Sequence, residues 1–147
     1  MKILNKTFNY QTKGEYDFID ITNEVKDFVD NSGIKNGLVN IQILHTSAAL
    51  MVNENEPLLI EDIKDNLEEC SPKSKEYRHD NLSMRTVNVC DSECMNGHSH
   101  CKAIHLLMNA TINLIDNKLQ LGQWQNIMLV ELDSSRPRNI QVQIIGE

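Results

Sequence analysis

Over residues 37–45 the chain reads GLVNIQILH, with Val39, Ile41 and Ile43 on one face and Asn40 and Gln42 on the other. A two-residue period of this kind marks a strand with one buried face. Residues 2–10 and 15–21 carry β-branched and aromatic side chains around the turn sequence TKGE and read as two earlier strands. The period then changes. In TNEVKDFVDNSG, Val25, Phe28 and Val29 share a helical face, Thr22 offers an N-cap hydroxyl and Gly33 a C-terminal stop.

A second helix is predicted from Pro57 to about Glu69, because proline suits a first turn and Leu59, Ile63 and Leu67 recur at helical spacing. Residues 70–97 are polar and irregular, broken by SPKSK, and a long segment of this sort inside one domain is more often functional than filler. Beyond it His100, Ala103, Ile104, Leu107 and Met108 fall on one helical stripe. TINLIDNKLQL reads as a strand, a turn and a short return, and QNIMLVELD and NIQVQIIG as strands joined through SSRPR. The order β-β-α-β-α-α-β-β-β predicts a single α+β domain with about three helices and a largely antiparallel sheet.

A chain of 147 residues is one ordinary domain, and 40% hydrophobic with 24% charged residues is a globular composition. The net charge of −7 argues against a nucleic-acid partner, since phosphate backbones attract an excess of Lys and Arg, but it leaves room for a small anion at a local basic cluster. MKILNKTFNYQT has no apolar core of signal-peptide length, and no run approaches the ~20 apolar residues of a membrane span. No membrane partner is expected, and a cytoplasmic location follows as the default. There Cys70, Cys90, Cys94 and Cys101 are thiols.

NGHSHCKA brings His98, His100, Cys101 and Lys102 together behind Gly97. With His45 at the end of strand 37–45, His98 and His100 supply three imidazoles, the number that holds a catalytic zinc-type ion with one open position. His45 and His100 also read as packed, hydrogen-bonded histidines. Cys90, Cys94 and Cys101 with one histidine form a weaker rival set, lacking a second Cys pair. Gly97 before a helix presents free N–H groups to phosphate and Lys102 adds a charge, against the ordinary reading of a solvated lysine. HTSAALMVNENEP places Thr46, Ser47, Asn53 and Glu54 between a strand end and a helix start, where ligand-binding groups tend to sit. On strand 125–133, Glu131 and Asp133 follow Ile127 and Leu129 on one face, and Arg136 and Arg138 come directly after. Either the arginines pair with these carboxylates, or they clamp phosphate while a carboxylate does acid–base work. Trp124, the single tryptophan, is expected in the core.

HTSAAL with NENEP, NGHSHCKA, and LGQWQNIMLVELDSSRPR, in that order, resemble the YjbQ family, known as secondary thiamine-phosphate synthases. The likeness runs over nearly the whole chain. It implies an α+β fold around a β-sandwich, a homotrimer with sites near subunit boundaries, and the joining of a hydroxymethylpyrimidine diphosphate to a thiazole phosphate. On it, the metal ligands are His45, His98 and His100, holding a divalent ion, zinc-like or magnesium. Thr46, Ser47, Asn53, Glu54, Arg136 and Arg138 bind the phosphorylated substrate, and Glu131 and Lys102 do the chemistry. Trp124 and Gln125 also match. VNVCDSEC is richer in cysteine than the pattern, and EPLLIED replaces an acidic run, leaving Glu61 and Asp62 as substitutes. Two functions follow: an enzyme acting on a phosphorylated small molecule, or a non-catalytic trimer that binds a metal ion or anionic metabolite.

Overall fold

The computed structural model describes residues 1–89 and 94–147. Alternation builds the larger of two sheets. Strands β1 (Lys2–Gln11), β3 (Gly37–Ile43), β5 (Asn109–Ile115), β6 (Lys118–Leu119) and β8 (Pro137–Gly146) pair antiparallel in the order β1-β8-β3-β5-β6. Val39, Ile41, Ile112, Leu114, Ile140, Val142 and Ile144 all point inward and are buried. Their neighbours in sequence, mostly polar but including Leu38, Ile115 and Ile145, point outward.

The smaller sheet, β2 (Phe18–Asp20), β7 (Asn126–Glu131) and β4 (Ala48–Asn53), runs β2-β7-β4 and is covered on both faces. Ile127, Leu129, Ala48 and Leu50 meet the large sheet and α1 (Thr22–Asp30), while Met128, Val130, Ala49 and Met51 meet α2 (Pro57–Cys70) and the flank of α3 (Gly97–Ala103). Hence the core is a sandwich of two sheets with a helical layer outside the smaller one. Strand β4 was expected as a loop. Buried from Ala48 to Met51 without a break, it lacks the alternation that reveals a half-buried strand.

Other boundaries differ for local reasons. Helix α1 ends at Asp30 and the chain turns to Gly33, whose φ of 64° is the left-handed conformation glycine favours. Thr22 is not its capping residue; its hydroxyl instead donates to Asp20 and accepts the Ile127 N–H. Helix α2 begins as expected at Pro57, with the Glu56 carboxylate accepting the Leu58 and Leu59 N–H groups. Helix α3 stops at Ala103, short of the predicted stripe: Leu107 bridges to Leu50 as a strand residue, and Ile104 and Met108 are exposed. No helix among the described residues is long and apolar enough to cross a membrane.

Candidate functional site

Inward alternation carries Arg138 to the sandwich interior. Its Nε donates to Glu131 Oε2 at 2.7 Å, a second guanidinium nitrogen donates to Oε1, and Ser47 Oγ accepts at 3.1 Å. Glu131 is fully buried and also accepts the Thr12 hydroxyl and the Leu132 and Asp133 N–H groups. Its oxygens are saturated, so the acid–base role expected of Glu131 does not fit. Arg136 pairs with Asp133 at 2.7 Å and reaches Ser134 Oγ and Cys94 Sγ. The pairing alternative is therefore the one the structure adopts. Arg138 is lost to any phosphate clamp, and Ser47 is buried as its partner rather than facing a substrate.

Lys102 is neither a solvated lysine nor one placed to meet a substrate. Fully buried, its Nζ lies 2.8 Å from Glu15 Oε1, 2.6 Å from Glu68 Oε2 and 4.7 Å from the centre of the Tyr16 ring. Burial alone would disfavour its charge, but these hydrogen bonds outweigh it and push the Lys102 pKa up. His98 belongs to the same network: 3% exposed, its Nε2 is 3.4 Å from Glu15 Oε1 and 3.3 Å from Ser99 Oγ. Glu15, Glu68 and Tyr16 were not singled out from sequence, because single carboxylates and a tyrosine in scattered segments give no local signal.

His100 points elsewhere. Gly97 explains why: a Cβ there would sit 2.5 Å from the Tyr77 Cβ, so glycine lets Tyr77 close onto the start of α3. The Gly97 N–H donates to Asp80 Oδ1 at 2.8 Å, which removes the expected anion-binding helix start. Held by these contacts, the single-turn 3₁₀ helix Arg78–Asp80 puts His79 edge-on to His100 at 4.7 Å between ring centres. The His79 Nε2 is buried without a hydrogen-bond partner among the described residues. Burial, then the His79 and Arg85 charges, hold the His100 pKa below its ordinary value, against a hydrogen bond to the Thr46 backbone and the Asp133 carboxylate. Neutral His100 is the form the site keeps near pH 7.

Among the cavities around this imidazole pair, two differ in character. One of about 460 Å³, largely apolar, lies between His45, Thr46 and His100 and the residues Ala48, Ala103 and Leu107. The other, about 470 Å³, is lined by Arg78, His79 and Arg85. Arg78 and His79 were legible only as part of the irregular segment, whose length was the one signal pointing to function.

The expected metal triad does not form. His45 Nε2 accepts the Asn139 N–H at 2.8 Å, and His98 Nε2 faces Glu15. Among the described residues no group of three or more His, Cys, Asp and Glu side chains is arranged to hold a metal ion. The rival cysteine set includes Cys90, which lies outside the described residues. Asn53 and Glu54 sit at the far end of β4, whose six residues separate them from Thr46 by roughly 20 Å. There Asn53 pairs with Asn126, immediately after Trp124 and Gln125. Trp124 is 64% exposed and not in the core. The residues singled out thus fall into two groups at opposite ends of the β4–β7 pair.

A family model described as UPF0047 protein YjbQ-like matches residues 6–147. A UPF0047 protein of Methanothermobacter thermautotrophicus is 33% identical over 147 residues, covering 100% of this chain and 95% of the relative. Among solved structures, a YbjQ-like protein from Sulfolobus solfataricus is 35% identical at a TM-score of 0.88, covering 99% of both chains. A protein of the YjbQ/UPF0047 family from Clostridium acetobutylicum is 34% identical at a TM-score of 0.81, covering 95% of this chain and 99% of that one.

Proposed function

The chain belongs to the YjbQ-like UPF0047 family, and from that premise we propose that it binds a phosphorylated heterocycle at the His79–His100 corner. The observation that carries this reading is the imidazole pair, with His100 lining an apolar cavity and His79 an arginine-lined one. The apolar side takes a ring, and Arg78 and Arg85 attract phosphate oxygens. The His79 nitrogen without a partner among the described residues gains one when an anion arrives.

The chemistry we propose is of thiamine-phosphate synthase type, as the sequence resemblance implies. The pyrimidine methylene carbon loses its bond to the diphosphate oxygen and gains one to the thiazole nitrogen; pyrophosphate leaves with the electron pair. Arginine charge at the leaving oxygens favours that step. Assembly as a homotrimer with sites at subunit boundaries is part of the proposal. The two opposed residue groups support it, since a neighbour can supply the end that one chain lacks. One observation favours the non-catalytic alternative: Glu131 and Lys102 are both locked in buried ion pairs.

The test is calorimetric titration with pyrophosphate and with thiazole phosphate, beside a thiamine-phosphate synthesis assay. Wild type should bind both, and His100→Ala should bind at least about tenfold more weakly. Binding without turnover in the wild type selects the non-catalytic alternative, and equal affinity in His100→Ala contradicts the site.

A further inference from the structure

His45 and His100 line the same apolar cavity, and each has one ring nitrogen already engaged. Strand β3 ends at Ile43, which pairs with Ile140 on β8. One residue further, the Leu44 N–H donates to the Asn139 carbonyl at 3.2 Å, but the Asn139 N–H donates to His45 Nε2 at 2.8 Å instead of to a strand carbonyl. A nitrogen that accepts carries no proton, so neutral His45 holds its proton on Nδ1. Burial first, then the Arg138 charge, hold the His45 pKa below its ordinary value and keep the ring neutral at pH 7. Among the described residues no hydrogen bond takes up the Nδ1–H.

His100 is engaged in the opposite sense. A ring N–H of His100 donates to the Thr46 backbone carbonyl, so in the neutral imidazole the other nitrogen is a bare acceptor. No protein donor among the described residues meets it. Apart from Thr46 the rest of the lining is apolar, and Ala48, Ala49 and Ala103 leave the space open. One unmet donor and one unmet acceptor therefore border an otherwise apolar cavity of about 460 Å³. Such groups discriminate strongly, because a ligand that lacks the matching atom leaves them desolvated and unpaired.

We propose that His45 and His100 select the ring: the His45 Nδ1–H donates to a ring nitrogen, and the bare His100 nitrogen accepts from an amino group on the adjacent carbon. The ligand class is an uncharged, amino-substituted nitrogen heterocycle, of which aminopyrimidine is the simplest probe. A carboxylate or phosphate in this cavity would meet the His45 donor but lie against the lone pair of His100. A hydrocarbon ring would leave both groups unpaired. The inference rests on the binding of a heterocycle at this corner. It goes further in giving His45 the choice among rings, and the Asn139 N–H the fixing of its tautomer. Phosphate is met in the arginine-lined cavity, so ring choice and phosphate affinity are separable.

The experiment is titration with aminopyrimidine, pyrimidine and aniline at slightly alkaline pH, followed by NMR, with nitrogen NMR of the unliganded chain to read the tautomers. In the wild type His45 should be protonated on Nδ1 and bare on Nε2. Aminopyrimidine should bind, and pyrimidine, which lacks the amino group, and aniline, which lacks the ring nitrogen, should each bind at least about tenfold more weakly. His45→Phe should bind aminopyrimidine and aniline alike, whereas His100→Phe should bind aminopyrimidine and pyrimidine alike. His45→Asn, which retains a donor at the Nδ1 position, should keep the preference for aminopyrimidine over aniline. Equal affinity of the wild type for the three rings, His45 protonated on Nε2, or folded phenylalanine variants with the wild-type preferences would each overturn this inference alone. Binding of none of the three rings would overturn the heterocycle site and this inference with it.

Discussion

His98 and His100 stand two residues apart on α3 and belong to different parts of the molecule. The His98 side is closed in its hydrogen bonds, although His98 also lines a cavity of about 780 Å³ with Lys73 and Arg78: Glu15, Lys102, Glu68 and Tyr16 satisfy one another, as Glu131 and Arg138 do deeper in the sandwich. The His100 side is open, with cavities on both flanks and a neighbouring imidazole nitrogen unpartnered among the described residues. A buried charge that already has its partners holds the fold; a polar atom left waiting beside a cavity is where a ligand gains most. The same residue types thus take opposite roles according to whether their hydrogen bonds are complete.

The comparison breaks first if the closed side proves dispensable. Arg138→Ala leaves Glu131 charged and fully buried, and should destabilise the chain by about 3–5 kcal/mol in urea unfolding. Lys102→Met should cost about 3 kcal/mol, less because Lys73 still pairs with Glu15. Neither change should alter phosphate affinity in the fraction that remains folded.

Acid should unlock the closed side. Burial holds the His98 pKa below its ordinary 6.5 despite Glu15, so stability from neutral His98 is complete above pH 6.5 and fades below it. Glu68 adds a second stage: burial would raise its pKa, but hydrogen bonds from Lys102, the Lys73 backbone and Tyr16 bring it down from 4.5 to about 2. Its contribution is complete above pH 4.5 and is lost toward pH 2. The urea midpoint should therefore fall steadily from pH 6.5 to pH 2, with no recovery. Smallest of all, Trp124→Ala should change the stability of the chain by no more than about 0.5 kcal/mol, since its ring is exposed.

The sequence made the large sheet legible because β3, β5 and β8 alternate buried apolar residues with mostly polar ones, and period alone reveals that. It concealed β4 for the opposite reason: a strand covered twice carries no alternation. His45 and His100, singled out as metal ligands, and Thr46, singled out for substrate, line one cavity. His98, Lys102, Glu131 and Arg138 were found for their chemistry but misassigned, because their roles depend on Glu15, Glu68, Thr12 and each other across long stretches of chain. His79 was missed because only the Tyr77–Gly97 contact and the Asp80 hydrogen bond bring it to His100.

The central claim, that the ligand site lies on the His100 side of α3, is tested most directly by NMR titration of the five histidine rings with and without pyrophosphate. Both His98 and His100 should begin with values below 6.5. With the anion present, the His100 pKa should rise, because a bound negative charge stabilises its protonated form, and His98 should not move. A rise at His98 with His100 unchanged would contradict the account and move the site to the network around Glu15.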